Sequence, residues 1–128
     1  MKIWKIALLV EDMEAAEKLY AGVLGMEIIE RFPLGEAGEL LFIDAGGVQL
    51  ELIPKAAFEG EERLGLPGVH HLSFKADDVE TAAEELKAKG AEFIKEPFES
   101  LPGMTLAFFD GLNGVNLQLF NWKRGRVE

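Results

Sequence analysis

The chain switches twice between two hydrophobic periods, one near two residues and one near 3.6, in the same order each time. Residues 2–10 are partly alternating and rich in β-formers, so they predict a strand. Asp12 is placed to cap a helix with Ala15 and Ala16 inside it. Leu19, Tyr20, Val23 and Leu24 form its predicted apolar stripe, and Gly25 stops it. Strands follow over 26–32, 39–45 and 48–53, separated by a turn at 33–38 and a tight Gly46-Gly47 turn. The stretch 54–67 is charged and aperiodic, with Gly60, Gly65 and Pro67, and reads as a linker carrying a short helical turn. The pattern then returns: a strand over 69–76, an Asp78 cap, and a helix with Val79, Ala82, Ala83 and Leu86 on its apolar face. Gly90 is its stop, followed by a strand over 91–95, a two-proline loop over 96–103, and strands over 104–110 and 115–120 about a turn at 111–114.

The echo extends to single residues. Lys5 aligns with His71 and Asp12 with Asp78 at an offset of 66, while Gly47 aligns with Gly114 and Glu51 with Gln118 at 67. Separate anchors that agree to one residue indicate a duplicated unit. The predicted fold is α+β: two tandem βαβββ modules forming a curved, cleft-lining sheet of antiparallel type. One domain is expected, with modules at 1–54 and 69–122, a linker at 55–68 and a tail at 123–128.

Period two sorts the strand faces. Leu50 and Leu52 lie opposite Gln49, Glu51 and Ile53; Leu117 and Leu119 lie opposite Asn116, Gln118 and Phe120. Ile6, Leu8 and Val10 lie opposite Lys5, Ala7 and Leu9, and His70, Leu72 and Phe74 opposite His71, Ser73 and Lys75. Each strand therefore has one apolar face suited to packing beneath a helix. The other carries a polar residue at a matching place: Lys5, Glu51, His71 or Gln118. Those second faces either meet solvent or line a cleft. Leu9, Ile53 and Phe120 beside the polar positions favour the cleft. His70, on the apolar face, is expected to be structural or exposed.

Composition narrows the classes. The chain has 128 residues, 48% of them hydrophobic, enough for one domain with a core of its own. Cysteine is absent, which excludes disulfides, thiolate metal sites and cysteine nucleophiles. A net charge of −10 argues against nucleic acid as a partner, and the basic stretch Lys123-Arg124-Gly125-Arg126 reads as a solvated tail. No run suits a membrane span and no signal-peptide pattern is seen at the N-terminus, so a soluble, cytoplasmic protein that does not bind membranes is expected.

Four stretches resemble the vicinal oxygen chelate superfamily, the family of glyoxalase I, methylmalonyl-CoA epimerase, bleomycin resistance proteins and extradiol dioxygenases. They are Ala7–Asp12, Leu19–Met26, His71–Asp78 and Gly111–Leu119. In the last, Gly111 and Leu112 stand where the family has Asp and Pro ahead of its turn glycine. The resemblance implies a glyoxalase-like fold, a small-molecule ligand and a homodimer, with the linker long enough for an intrachain or a swapped pairing of modules. Family metal ligands carried over singly fall on Lys5, Glu51, His71 and Gln118. An ammonium has no lone pair to offer and repels a dication, so Lys5 departs from that pattern. Glu51, His71 and Gln118 are left as an incomplete metal set, and the cofactor expectation is none or a weakly held divalent metal.

Two functions stand side by side. One is a lyase or isomerase of glyoxalase or epimerase type, in which a carbonyl is polarised and a proton is moved. Its catalytic candidates are Glu51 and Lys5, Lys5 serving as electrophilic donor where no metal does. Its substrate contacts are Lys5, Gln49, His71, Ser73, Gln118 and Phe120. The other is a metal-free protein that binds or sequesters a drug or metabolite in the manner of bleomycin resistance. For it Trp4, Phe42, Phe109, Phe120 and Trp122 supply either stacking surfaces or core. Extradiol chemistry is set aside, because it needs two histidines and a carboxylate where this pattern offers one histidine.

Overall fold

In the first module, strand β1 (Ile3–Val10) is followed by helix α1 (Met13–Glu17), whose cap is Asp12: its Oδ1 accepts from Ala15 N at 3.0 Å. The structure is a computed structural model and describes residues 2–123; the tail predicted at 123–128 falls outside the described residues beyond Lys123. After Glu17 the chain widens into a π-helical turn, Lys18–Val23, with Leu24 N bonded to Leu19 O at 2.9 Å. A π turn holds more residues per revolution than an α-helix, so the α-helical stripe breaks. Tyr20, like Met13 and Ala16, still packs against Leu41, Ile43 and Leu52, but Leu19, Val23 and Leu24 are 46%, 72% and 54% exposed, a correction to the predicted apolar stripe.

Strands β2 (Glu27–Pro33), β3 (Glu39–Asp44) and β4 (Gln49–Pro54) complete the first module. Gly46 and Gly47, at φ +82° and +95°, make the turn between β3 and β4, where a side chain would be strained. The order is β2-β3-β4-β1, antiparallel except for the parallel pair β4·β1. Leu41, Ile43 and Leu52 form the buried centre on the helix side, joined by Leu8, Met13, Ala16, Tyr20 and Leu50. Ala7, Leu9 and Ile53 are buried on the other side with Phe58 of the short 3-10 turn Lys55–Phe58. Burial of each large aliphatic or aromatic side chain contributes roughly 1.5–3 kcal/mol.

The second module repeats this plan with β5 (Gly68–Lys75), α2 (Val79–Ala88), β6 (Phe93–Glu99), β7 (Met104–Asp110) and β8 (Asn116–Trp122). Its order is β5-β8-β7-β6, again with one parallel pair, β5·β8. The pairing within each module is thus mixed, antiparallel in two of its three strand pairs. Asp78 Oδ1 accepts from Thr81 N at 3.0 Å, and the predicted face of α2 packs as expected, Val79 and Ala83 buried against Ala107, Phe109 and Leu119. The loop predicted at 96–103 is corrected: β6 runs through Pro97 to Glu99, with its register to β7 shifting between Lys95 and Phe98. β6 is the edge of its order, where a proline breaks no ladder on its outer side.

The described residues divide into two compact units, one of Lys5–His70 and one of residues 2–4 with 71–123. The boundaries fall inside β1, after Trp4, and inside β5, between the two histidines.

Candidate functional site

The parallel register of β1 and β4 sets Ala7 opposite Glu51 and Lys5 opposite Gln49, so Lys5 and Glu51 are diagonal neighbours on one face. The Lys5 stem crosses that diagonal and its Nζ donates to Glu51 Oε1 at 2.6 Å. Both side chains are buried, at 1% and 7% exposure. Burial pushes the Lys5 ammonium below its ordinary value, against the charge and hydrogen bond of Glu51, which raise it. Two such groups stay charged in an interior only as partners, because removing either charge alone from water is costly. Phe42, fully buried, sits opposite Glu51 on β3.

His70 belongs to the same unit, and of the two alternatives expected for it, structural or exposed, it takes the structural one. It is buried, its Nε2 lies 2.6 Å from Leu64 O, and its ring tilts against Phe58 with centroids 4.4 Å apart. A carbonyl only accepts, so Nε2 carries the proton and the neutral ring keeps its lone pair on Nδ1. Burial lowers its pKa first; the Leu64 carbonyl and the charges of Glu51 and Glu61 raise it, and Lys5 lowers it further. Sequence reasoning missed this neighbour because strand alternation assigns His70 to the helix side and says nothing of where the linker carries Leu64 and Phe58.

The remaining predicted residues lie in the other unit. Ser73 Oγ donates to Gln118 Oε1 at 2.8 Å, as the β5·β8 register that sets them opposite allows. The His71 ring meets Phe108 edge-on at 5.3 Å, and Phe120 packs on Trp4 at 4.6 Å and on Trp122 at 6.5 Å. Asn121 Nδ2 donates to Ala76 O at 2.9 Å, tying β8 to the end of β5. Phe42, Phe109, Phe120 and Trp122 are core, not stacking surface. Phe42 and Phe108 stand at the repeat offset already given by Lys5 and His71, a signal that would have found both. Where the second module has Ser73 to engage its polar residue on the last strand, the first has Ala7, and there the charged pair takes over.

The donor set in the Lys5 unit does not fit a divalent metal. The lone pairs of Glu51 Oε1 are turned to an ammonium, and that ammonium brings a positive charge and no lone pair to the place a cation would take. Among the described residues no three His, Asp or Glu side chains group as metal ligands. A separate surface cavity of about 490 Å³ in this unit is lined by Glu11, Glu14, Glu17, Glu39 and Lys55, and includes neither Lys5 nor Glu51. Arg31 bridges Glu17 and Glu39 beside it.

Comparison with known proteins adds the family. The mitochondrial methylmalonyl-CoA epimerase of Bos taurus is 32% identical over 99 residues, covering 71% of this chain and 55% of the bovine one. The chain thus spans about half the length of the curated relatives it matches. A Streptomyces coelicolor methylmalonyl-CoA epimerase variant in complex with 2-nitronate-propionyl-CoA superposes with a TM-score of 0.76 at 23% identity, covering 100% of this chain and 97% of that one. A methylmalonyl-CoA epimerase in complex with methylmalonyl-CoA and NH4+ gives 0.75 at 22% identity, covering 99% and 96%. At these identities the two structures establish the shared fold. The model of the Glyoxalase/Bleomycin resistance protein/Dioxygenase superfamily matches residues 2–119, through both βαβββ modules, and the chain belongs to that superfamily.

Proposed function

We propose that this protein moves a proton on the carbon next to a carbonyl, as an epimerase or isomerase of a small acyl compound, without a metal. The observation that carries the reading is the buried Lys5–Glu51 pair, which sets a hydrogen-bond donor and a carboxylate 2.6 Å apart. In the reaction the α C–H bond breaks and its proton passes to a Glu51 oxygen. The electron pair moves into the carbonyl, and the Lys5 ammonium donates to the enolate oxygen that forms. A water molecule then delivers a proton to the opposite face of the carbon, giving the epimer, and the hydroxide it leaves takes the proton from Glu51 and restores the carboxylate. The epimerase names of the relatives support an acyl thioester as the substrate class. A homodimer, with a ligand contact from Gln49 beside the pair, belongs to the same reading.

The test is deuterium uptake. The protein is incubated in D2O with methylmalonyl-CoA and related acyl-CoA esters after chelation of metals, and loss of the α-proton signal is followed by NMR. Exchange above the uncatalysed rate is expected, falling by about 100-fold or more in Glu51→Gln, the scale of a lost general base. No exchange with any ester, or exchange unchanged in Glu51→Gln, overturns the proposal. The packed, neutral Ser73–Gln118 contact beside aromatic rings supports a second reading, metal-free binding or sequestration of a small molecule. Ligand-induced shifts without any exchange would favour it.

A further inference from the structure

We propose that residue 5 decides which cation the Glu51 carboxylate holds: the Lys5 ammonium is its resident cation, and exchanging that lysine for a neutral donor opens a site for one divalent ion. Three observations point this way. Lys5 Nζ lies on Glu51 Oε1 at 2.6 Å, a charge-assisted contact, so the carboxylate is already neutralised by a covalently attached cation. The pair is buried, which keeps mobile counter-ions from competing and makes the carboxylate demand a positive partner at all times. The donor chemistry at residue 5 repels a metal, because an ammonium has no lone pair, and among the described residues no three His, Asp or Glu side chains group as metal ligands.

Removing the ammonium has a definite consequence. A buried carboxylate left alone must take up a proton, or recruit a cation from solution. Imidazole at position 5 would supply a nitrogen lone pair beside a carboxylate oxygen, a set that suits Co2+ with water completing its shell. A carboxamide would supply an oxygen and a weaker site. The change is thus from a cation that is part of the fold to one whose occupancy depends on concentration.

The experiment uses the full chain, stripped with chelator, as wild type, Lys5→His, Lys5→Gln, Glu51→Gln and the double variant Lys5→His/Glu51→Gln. Each is titrated with Co2+, read by the visible absorption of the bound ion, by metal retained after dialysis, and by Tm. The expected result is about one equivalent of Co2+ in Lys5→His, weaker uptake in Lys5→Gln, and none above the Glu51→Gln background in wild type or the double variant. At a hundredfold excess over Kd the bound ion should raise the Tm of Lys5→His by roughly 10 °C. If Lys5→His is unfolded without metal, far-UV circular dichroism with added Co2+ decides: recovered folding supports the assignment and none overturns it. Stoichiometric Co2+ in wild type that Glu51→Gln abolishes also overturns it, as does folded Lys5→His that takes up no ion. Cation uptake is read without substrate, so its failure and the failure of the proton-transfer reading are told apart.

Discussion

Lys5 and Glu51 form a pair whose two halves are worth very different amounts alone and together. Their 2.6 Å contact is buried on both sides, so each charge is tolerable only because of the other. Lys5→Met should therefore destabilise the protein by about 3–5 kcal/mol, since it strands a buried carboxylate, and Glu51→Leu should do the same by stranding the ammonium. The double variant Lys5→Met/Glu51→Leu should recover most of that loss, because two apolar groups of similar volume need no partner. Urea unfolding of the four proteins measures the cycle; additive losses would mean that the charges find other compensation. A pair kept at such expense, where an apolar pair would serve stability equally well, is consistent with a chemical role for the charges. Its location was partly legible: period two set Lys5 and Glu51 on matching faces. Their direct contact was open, because only the β1·β4 register makes them diagonal neighbours.

Among the elements, the two helix starts carry the clearest local signal, and both Asp12 and Asp78 cap as their positions predict. Asp78 is held below its ordinary value of 3.8, first by the Thr81 N–H and then by the Thr81 side chain. The unfolded chain binds that proton more readily, so the cap's contribution is full above the ordinary carboxylate value and is lost as pH falls through the folded one. Asp78→Asn keeps a capping oxygen but cannot titrate. Thermal melts from about pH 6 down to about pH 2 should show a shallower acid loss for this variant than for wild type. A parallel pair of curves would show that the cap contributes no linkage. The turn before β8 explains a departure from the family pattern. A Cβ on Gly111 would come 2.9 Å from Leu117 Cγ, and Leu112 sits at φ +69°, which a proline ring cannot adopt. The Asp and Pro of the family turn are thus excluded by the local backbone. What the periodicity misses is the π turn at Lys18–Val23 and the strand through Pro97, since both depend on where an element sits: on its neighbours in one case and on an edge in the other.

At the scale of the whole molecule the charge is lopsided, −10 over 128 residues. Self-repulsion among exposed carboxylates is screened by salt, whereas the buried Lys5–Glu51 pair is screened little. Tm should rise by a few degrees between roughly 10 mM and 200 mM NaCl. A fall would mean that exposed pairs such as Arg31 with Glu17 and Glu39, or Lys87 with Glu96, outweigh the repulsion. No helix of the described residues is long and apolar enough to cross a membrane. The βαβββ plan, the duplication, the helix caps and the apolar helix-facing sides of the strands were all readable from residue order, because each rests on local periodicity, local turn chemistry or self-similarity. Three things needed the tertiary structure. The contact of Lys5 with Glu51 joins residues far apart in sequence, the burial of His70 depends on a linker that carries no period, and the Ser73–Gln118 bond depends on strand register. Register and long-range packing are collective outcomes of the whole sheet, and no single stretch of sequence encodes them.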